Sequence, residues 1–233
     1  MRYEHVRKGI FRARPNRFAA RVDIDGKEHM VHVKNTGRCR ELLIPGATVL
    51  LEYHPDAKAR GRKTEYSLVG VYKGKLLINM DSQAPNAAAR EWLENGGFCR
   101  DTGWRPENIR REVTYGQSRF DLAFTVEGKP AFMEVKGVTL EWEGVALFPD
   151  APTQRGVKHL EELTEAVENG FMAFVLFVIQ MKGIHEFRPN EQMHKAFADA
   201  LVRAREAGVK VLAYDCSVRE DGFDVDQEVR CGF

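Results

Sequence analysis

Three residues that could bind a metal ion and activate water lie close together in the middle of the chain. Asp121 precedes a glycine-containing turn at 127–129, and Glu134 and Lys136 follow that turn as the triplet E-x-K. Alternating apolar residues on both sides of the turn predict two antiparallel strands. Because strand side chains alternate with a period of two, a two-residue loop would place Asp121 across from either Glu134 or Lys136, and all three side chains on one face.

The opposite face of this predicted hairpin is apolar and should pack into the protein core. Its members are Phe120, Leu122, Phe124, Met133 and Val135. Two carboxylates and an ammonium group are therefore expected to converge at one end of a buried hairpin.

The three polar residues suit chemistry on phosphate. Hard cations prefer carboxylate oxygens and keep water positions open for phosphate, so Asp121 and Glu134 are candidate ligands of Mg²⁺ or Mn²⁺. Lys136 would orient a metal-bound water and stabilise charge at phosphorus. The pattern D…E-x-K is the signature of PD-(D/E)xK nucleases, but it also arises by chance. The alternative interpretation is a cross-strand salt bridge between Lys136 and a carboxylate.

The composition is that of an ordinary soluble globular protein. The 233 residues are 43% hydrophobic and 30% charged with a net charge of +1, which does not by itself predict a nucleic-acid partner. The charges are unevenly distributed, since basic residues crowd the opening segment and acidic residues the C-terminus: Arg2, Arg7, Lys8, Arg12, Arg14, Arg17 and Arg21 against Glu220, Asp221, Asp224, Asp226 and Glu228. This asymmetry indicates a basic face for a polyanion or, alternatively, a merely solvated surface.

Cysteine use and hydropathy bear on the compartment. Cys39, Cys99, Cys216 and Cys231 lie far apart without metal-ligand spacing, so we expect free thiols in a reducing compartment. The N-terminus lacks the apolar core of a signal peptide, and the longest apolar run, 171–179, is too short to span a bilayer. We therefore expect a cytoplasmic protein with no membrane contact.

Residues 1–80 predict a small β-barrel. Alternating segments separated by Gly, Pro, Asn and Asp turn signals indicate five or six short strands and no helix. The segments are 5–14, 18–24, 28–33, 48–53, 65–72 and 75–79. Such a set is typical of a closed barrel, of which the OB-fold is the commonest nucleic-acid-binding example. An SH3-like barrel is the structural alternative.

Two basic loops of this predicted barrel are candidate DNA contacts. The first, V-K-N-T-G-R-C-R, carries Lys34, Asn35, Thr36, Arg38 and Arg40 around Gly37. Guanidinium groups and loop amides suit phosphate recognition. The second loop carries Arg60, Arg62 and Lys63 and could follow a nucleic-acid backbone. For both loops, the alternative is a solvated turn.

From Asp81 the pattern changes to alternating helices and strands, which indicates a domain boundary near Met80 and a second domain at 81–233. Helices are predicted at 85–94, 153–168 and 190–206, and strands at 109–114, 171–179 and 209–214 besides the hairpin, with a loop at 147–152. The order of helix, three strands, helix, strand, helix and strand is that of the PD-(D/E)xK core, an α/β domain with a mixed central sheet. This context favours the metal site over the salt bridge.

The helix predicted at 153–168 should pass close to the hairpin. Its apolar stripe consists of Val157, Leu160, Leu163 and Val167, which leaves Arg155, Lys158, His159 and Glu162 off the core. Arg155 and His159 are therefore candidates to face DNA. On the first helix, Glu91 or Glu94 could add a third carboxylate to the site, although both also suit a solvated face.

Over essentially its whole length the chain resembles the sugar fermentation stimulation protein A (SfsA) family. The resemblance rests on V-K-N-T-G-R, S-R-F-D, E-V-K-G-V-T-L and F-P-D-A-P-T-Q-R-G-V-K-H-L-E-E-L, in that order. It implies an N-terminal OB-like domain, a C-terminal PD-(D/E)xK nuclease-like domain, DNA binding and a regulatory role in maltose metabolism. By motif, it implies metal and catalytic positions at Asp121, Glu134 and Lys136. Phe120 stands where a proline often precedes the aspartate.

Two functions compete at this point. The first is a Mg²⁺- or Mn²⁺-dependent nuclease acting on DNA. The second is a non-catalytic DNA-binding regulator that keeps the nuclease fold, with weak sequence preference because no helix-turn-helix signal is evident. Direct sugar chemistry is a third class, but Lys136 and its basic surroundings suit phosphate better. The oligomeric state stays open, a homodimer included.

Overall fold

The computed structural model describes residues 1–35 and 37–233, so that Thr36 of the first basic loop lies outside the described residues. Within these ranges the chain forms sixteen strands and four helices. None of the helices described is long and apolar enough to cross a membrane. The four cysteines are free thiols, as predicted.

The first domain is a barrel closed by one parallel strand pair. Its strands are β1 (Val6–Asn16), β2 (Ala19–Ile24), β3 (Lys27–Val33), β4 (Thr48–Tyr53), β5 (Tyr66–Lys73) and β6 (Leu76–Asn79). They pair antiparallel in the order β3-β2-β1-β4-β5-β6, and β3 also pairs with β5, with His32 opposite Ser67, which closes five strands on themselves. The predicted closed barrel is confirmed, with strand bounds that differ by one or two residues.

Alternation along these strands explains the barrel interior. One side chain in two points inward, and the inward set is fully buried: Phe11, Val22, Val31, Val49 and Leu68. The barrel is therefore a filled hydrophobic core rather than a pore, and its binding surfaces lie on the loops and the outer strand faces.

The second domain is built on a six-stranded mixed sheet. Its elements are α1 (Ala84–Glu94), α2 (Gly97–Thr102), β7 (Pro106–Tyr115), β8 (Ser118–Val126), β9 (Lys129–Val138), β10 (Leu140–Trp142), β11 (Val145–Phe148), α3 (Gln154–Glu168), β12 (Met172–Ile179), β13 (Glu186–Pro189), α4 (Glu191–Glu206), β14 (Lys210–Arg219), β15 (Gly222–Glu228) and β16 (Arg230–Cys231). The main sheet has the order β15-β14-β12-β9-β8-β7, in which β9, β12 and β14 are parallel. The predicted mixed central sheet is confirmed.

Helices cover both faces of this sheet. On one face Trp92 of α1 and Phe98 of α2 share a core cluster with Leu176 of β12. On the other face Leu163 of α3 belongs to the core cluster that contains Phe177. Strand β12 is consequently apolar on both sides, which is why 171–179 is a continuous hydrophobic run in the sequence.

A second, smaller sheet was not predicted. It has the order β10-β11-β13-β16, with β11, β13 and β16 parallel. The sequence analysis assigned 147–152 to a loop, whereas β11 extends to Phe148. Strands of two to four residues have too little periodicity to be recognised, and their partners are distant along the chain. They form because the fully buried Ala146 and Phe187 join the core below them.

Helix α2 also escaped prediction, because the glycines at 96–97 indicated only a helix end. Gly96 has φ +77 and ends α1, and the chain turns directly into a further helical turn. The ring of Phe98 packs edge-on against Trp92 at 5.3 Å between centroids. Tertiary packing of this aromatic pair, rather than local propensity, therefore stabilises the extra turn.

Hydrogen bonds join the two domains at the end of β6. Gln180, which follows β12, is buried, and its side-chain Nε2 donates to Asn79 Oδ1 at 2.8 Å and to the Asp81 carbonyl at 3.1 Å. The backbone N–H of Asn79 donates in return to the Gln180 carbonyl at 2.9 Å. Gly137 of β9 lies against this junction, since a Cβ there would come within 2.5 Å of Gln180 Oε1 and 2.7 Å of Pro85 Cγ.

Replacing Gly137 with alanine should destabilise the protein. The proline ring is rigid and the Gln180 amide is held by two hydrogen bonds, so neither can move away cheaply, and overpacking of this kind costs about 1–3 kcal/mol. We expect a fall in Tm of several degrees by differential scanning calorimetry. Gly26→Asn is the control, since nothing lies within 4 Å of Gly26 and its φ of +79 suits asparagine. An unchanged Tm for Gly137→Ala would contradict the packing described.

Candidate active site

The hairpin that carries the candidate residues has the register expected from a loop at 127–128. Val126 pairs with Lys129 and Leu122 with Met133, so the next opposed pair is Asp121 and Glu134. Both loop residues have positive φ, 50 and 76 degrees, as two-residue hairpins of the favoured type require. Extended by one residue, this register matches the predicted pairing of Asp121 with Glu134 and not the predicted pairing with Lys136.

The pairing of β8 with β9 ends at Leu122 and Met133, although β8 stays paired with β7 as far as Ser118, and beyond Leu122 the Asp121 carboxylate bonds the backbone of β9. Asp121 Oδ2 accepts the N–H of Val135 at 2.8 Å, and Oδ1 accepts Nδ2 of Asn86 at 2.7 Å. Asn86 belongs to the first turn of α1, directly after the proline that opens the helix. Two donors from different elements thus fix the orientation of the Asp121 carboxylate.

The end of strand pairing also moves Phe120 to the other face, and the prediction that Phe120 packs beside Leu122 is wrong. Leu122 belongs to the cluster under α1, but Phe120 belongs to the cluster under α3. Its ring lies 5.3 Å from that of Phe132 and 6.4 Å from that of His159. Strict alternation therefore fails between Phe120 and Leu122, at the residue whose carboxylate bonds the backbone of β9.

Glu134 is the most constrained member of the site. Its side chain is almost fully buried, and its Oε1 accepts Nζ of Lys136 at 2.7 Å and a hydrogen bond from Nδ1 of His159. Arg155 Nε lies 3.2 Å from His159 Nε2, and because a guanidinium only donates, Nε2 is the acceptor and the imidazole proton sits on Nδ1. The chain Arg155–His159–Glu134 is therefore ordered by hydrogen bonding from the surface inward.

The same arrangement leaves the second oxygen of Glu134 without a partner. Oε2 is buried and receives no hydrogen bond from any residue the structure describes. An unsatisfied buried carboxylate oxygen is costly, so its persistence calls for a ligand or a function. Across residues 1–35 and 37–233, however, no three His, Cys, Asp or Glu side chains gather into a preformed metal cluster.

The surroundings of Asp121 and Glu134 shift the pKa values of the two carboxyl groups in opposite directions. Burial and the nearby charge of Glu134 raise the pKa of Asp121. Burial acts on Glu134 too, but the hydrogen bond from His159 and the charge of Lys136 outweigh it, and the pKa of Glu134 lies below its usual value. Glu134 is therefore the member of the pair that stays ionised most readily.

The prediction that His159 and Glu162 lie off the core is wrong, since both are buried. The apolar stripe of α3 was identified correctly, but α3 packs against α4 as well as against the sheet, so the buried part of the helix is wider than one stripe. Neither Glu91 nor Glu94 reaches Asp121 as a third carboxylate. Glu91 pairs with the amino group of Met1, and Glu94 pairs with Arg90.

In the first basic loop, Lys34 is engaged by carboxylates. Its Nζ lies 2.9 Å from Asp81 and 3.2 Å from Glu52, and its side chain is only 20% exposed. Burial favours the neutral amine, but the two carboxylates outweigh it and the pKa of Lys34 is raised. Lys34 thus closes a charge network between the barrel and the second domain, and it is not free to take a phosphate.

The rest of that loop is organised by Arg14, which the sequence analysis did not single out. Its guanidinium donates to the carbonyls of Arg17, Asn35, Gly37 and Arg38 at 2.7–2.9 Å. The Asn35 side chain is buried and accepts the Gly37 N–H at 2.7 Å. With its carbonyls turned toward Arg14, the loop carries Arg38 and Arg40 on its outer side, where a groove of about 530 Å³ is lined also by Arg14 and Arg17.

The second basic loop is only partly free. Arg60 pairs with Asp56, and Arg62 donates to Ser67 at 2.8 Å, whereas Lys63 is exposed. Of the nine residues predicted to contact DNA, those with exposed side chains are therefore Arg38, Arg40, Arg60, Lys63 and Arg155, and of these Arg38 and Arg40 line the arginine groove.

A second cavity connects the arginine groove with the hairpin. It measures about 160 Å³ and is lined by Asn35, Gly37, Ser82, Gly137, Thr139, Leu140, Leu147, Phe148, Asp150 and Gln180. Gly37 belongs to both cavities, and Gly137 directly follows Lys136. Asp150, also missed in the sequence, lies in the motif F-P-D-A-P, where burial raises its pKa. This junction cavity therefore runs from the barrel loop to the end of the E-x-K strand.

The fold and the site together define the class of protein. An OB-type barrel precedes a restriction-endonuclease-like domain, in which an Asp and an E-x-K triplet occupy two adjacent central strands. The family description "SfsA N-terminal OB domain" matches residues 13–80, and "Sugar fermentation stimulation protein RE domain" matches residues 83–222. The chain belongs to the sugar fermentation stimulation protein (SfsA) family.

Relatives support this assignment over nearly the whole chain. The sugar fermentation stimulation protein homolog of Desulfitobacterium hafniense (strain DSM 10664 / DCB-2) is 57% identical over 224 residues, covering 96% of this chain and 95% of the homolog. That of Clostridium beijerinckii is 50% identical over 225 residues, covering 97% and 96%. The solved structure of Pyrococcus furiosus SfsA in complex with Ca²⁺ is 26% identical, with a TM-score of 0.88 over 100% of this chain and 98% of that one.

The placement of Lys34 can be tested through stability. Lys34→Met removes the positive partner of Asp81, whose side chain is 3% exposed, and leaves a buried carboxylate uncompensated. We expect a loss of about 3 kcal/mol in the free energy of unfolding, measured by urea denaturation. The exposed Arg40→Met should change it by less than about 0.5 kcal/mol. Equal small effects of the two substitutions would show that the network around Lys34 is not stabilising.

Proposed function

We propose that this protein binds DNA and hydrolyses phosphodiester bonds with the help of a divalent cation, Mg²⁺ or Mn²⁺. The observation that carries the proposal is the state of Glu134. Both available donors, Lys136 and His159, bond the same oxygen, and the other oxygen is buried without a partner among the described residues. A carboxylate held in this way is preorganised to bind a cation through its free oxygen.

The residues present suit Mg²⁺ or Mn²⁺ better than they suit a closed structural metal. Mg²⁺ is usually held by one or two carboxylates, with water and substrate phosphate completing its shell, so a third protein ligand is not required. Asp121 and Glu134 supply these two carboxylates. The oxygens of Asp121 each accept one hydrogen bond and retain lone pairs for a cation. The relative from Pyrococcus furiosus, solved with Ca²⁺, supports a divalent cation in this fold.

Each residue of the site would have a separate task. A bound divalent cation would neutralise phosphate charge and make a bound water more acidic. Lys136, which uses one N–H on Glu134, has further donors for a phosphate oxygen or for the attacking water, and its charge stabilises negative charge at phosphorus. His159, neutral and with its proton directed at Glu134, is a positioning residue. Arg155 holds the His159 tautomer and adds positive charge at the surface.

DNA would be held by the barrel and presented to the second domain. The arginine groove offers guanidinium groups for phosphates, and the junction cavity, which shares Gly37 with that groove, is lined at its other end by Gly137, the residue after Lys136. Contacts of this type recognise the backbone rather than bases, which favours weak sequence preference. The name of the family, together with a barrel of this kind, also supports a role in regulating sugar use, with maltose metabolism as its suggested target. A DNA-binding regulator without cleavage is the alternative.

The catalytic proposal predicts metal-dependent cleavage that depends on Asp121 and Lys136. Purified protein incubated with single- and double-stranded DNA should produce nicks or fragments with Mg²⁺ or Mn²⁺ but not with EDTA. Asp121→Ala and Lys136→Ala should lower the rate by a factor of about 100 or more, because the first removes a ligand of the cation and the second removes a positive charge that stabilises the transition state. Asp199→Ala, which removes an exposed carboxylate paired with Lys195 on α4, is the matched control.

Calorimetric titration with Mn²⁺ and with Ca²⁺ gives a readout that does not depend on cleavage. Binding should be lost in Asp121→Asn and Glu134→Gln and retained in Asp199→Asn. Cation binding in the native protein without any cleavage would support the non-catalytic regulator. Cleavage that survives in Asp121→Ala would indicate a contaminant or a different site.

If the barrel binds DNA and the second domain cleaves it, substitutions in one domain should change DNA affinity and substitutions in the other should change the cleavage rate. Replacing Arg38, Arg40 and Lys63 with glutamine should lower DNA affinity. The slope of log affinity against log salt should flatten by about 0.9 for each phosphate of duplex DNA that is no longer neutralised. Asp121→Ala should keep or slightly raise metal-free affinity, because it removes a negative charge near the phosphate. Both variants are measured by fluorescence anisotropy with EDTA and with Mg²⁺.

The opposite pattern would overturn this division. If the barrel variant binds DNA normally while Asp121→Ala loses metal-free binding, the DNA is held by the second domain instead. Arg2→Gln serves as the control for charge alone, since Arg2 is exposed and pairs with Asp221 away from the groove.

A further inference from the structure

The outer face of the small sheet carries exposed aromatic and cationic side chains in register. Strand pairing places Trp142, Val145, Glu186 and Arg230 in one row across β10, β11, β13 and β16. Leu140, Leu147 and Arg188 form the neighbouring row. The rows between these point the other way, where Ala146 and Phe187 are fully buried in the core. The alternation therefore assigns Trp142, Arg188 and Arg230 to the same solvent-facing surface.

The tryptophan and the two arginines of this surface are accessible to a ligand. Trp142 is 68% exposed, the most exposed large hydrophobic residue of the described chain, and the side chains of Arg188 and Arg230 are 53% and 74% exposed. The other two tryptophans are far less accessible, Trp92 being buried and Trp104 half-buried. The Trp142 ring therefore offers an accessible aromatic face on which a planar ligand could stack.

Glu186 holds the two arginines of this face in place. Its carboxylate accepts Nε and Nη2 of Arg188, each at 3.0 Å, and lies 3.2 Å from Nη2 of Arg230. Both guanidinium groups keep further N–H donors directed away from Glu186. Two arginines against one glutamate leave this group of three side chains with a net positive charge, so the group attracts an anionic ligand and offers it fixed donors.

The face is continuous with the candidate active site. Strand β9 runs from Lys136 through Gly137 to Val138, and Leu140 follows at the start of β10. Leu140 and Leu147 line the junction cavity, and Trp142 stands on the same side of β10 two residues further on, about 7 Å along the strand. A polymer that leaves the junction cavity in this direction meets the Trp142 ring first.

We infer that this face binds unpaired nucleotides of single-stranded DNA, with Trp142 stacking on a base and Arg188 and Arg230 contacting phosphates. The inference rests on the proposed function and narrows its substrate. Base faces are available to a tryptophan ring only where the bases are unpaired, and stacking plus backbone cations is how proteins hold single strands. The junction cavity, about 160 Å³, is close to the roughly 150 Å³ that holds a benzene ring, so it admits one base and not a base pair.

Fluorescence tests the inference without any cleavage. Oligothymidylate added to the native protein in EDTA should quench tryptophan emission, since Trp142 is the exposed fluorophore. A blunt duplex of equal length, which offers stacked and paired bases, should quench it far less. Trp142→Ala should lower affinity for oligothymidylate by about 5- to 150-fold and abolish quenching, while duplex affinity changes little. Trp142→Phe should recover part of the affinity, because a smaller ring still stacks.

Charge and surface controls complete the test. Arg230→Gln should flatten the salt dependence for oligothymidylate by about 0.7 in slope, as expected for one phosphate bound on a single strand. Met30→Ala, which removes an apolar side chain 50% exposed on the barrel, should leave oligothymidylate binding unchanged. Circular dichroism should give the same Tm for all these variants, because every altered side chain is exposed.

Three results would overturn the inference. The first is an affinity for oligothymidylate that is unchanged in Trp142→Ala. If duplex binding still depends on Arg38 and Arg40 in that case, the proposed function stands and only the single-strand inference is overturned. The second is tryptophan emission that changes with protein concentration while sedimentation shows a dimer, since Trp142 would then be covered by a second copy. The third is a native protein that binds neither single- nor double-stranded DNA, which removes the proposed function as well.

Discussion

A carboxylate buried against an apolar sheet must be compensated, and the way Glu134 is compensated shapes the whole second domain. Its partners come from two directions, Lys136 from the same strand and His159 from α3. The hydrogen bond to His159 requires α3 to cross the sheet at one fixed point, with its histidine buried and its Arg155 at the surface. Because both donors bond one oxygen, the other has no partner among the described residues. The hydrogen bond from His159 thus joins α3 to β9 beside the apolar contacts of Leu160 and Leu163 that pack the helix on the sheet.

Local patterns were sufficient to predict the parts of the fold that depend on neighbours in sequence. Period-two alternation and the loop at 127–128 gave the hairpin, and turn residues gave the barrel strands to within two residues. The same periodicity predicted that Asp121, Glu134 and Lys136 would lie close together, and of these the structure shows Lys136 bonded to Glu134. Their catalytic role stays a prediction, because spacing and geometry indicate where charge lies and not what reacts.

The features that were missed depend on distant partners. Phe120 changes face because Asp121 bonds the backbone of the neighbouring strand, which no periodicity can reveal. Lys34 was predicted to contact phosphate from a basic loop, but it forms an ion pair with Asp81, which is distant in sequence. The small sheet joins short strands that lie between residues 140 and 231 of the chain. Such short strands can be identified only from their distant partners and from the burial of Phe187 in the core. Each miss is a tertiary interaction that overrides a local pattern.

The junction between the domains has a consequence for distance. Gly37 of the barrel loop has no room for a Cβ because the Asp150 carboxylate occupies that space, and Lys34, Lys73 and Asn79 each bond partners beyond the barrel. Because these contacts tie the two domains at several points, the arginine groove and Asp121 are held at a fixed separation. Under the proposed function, a DNA strand bound in the groove would reach Asp121 at a set number of nucleotides. The protein would then select a substrate by its length rather than by its base sequence.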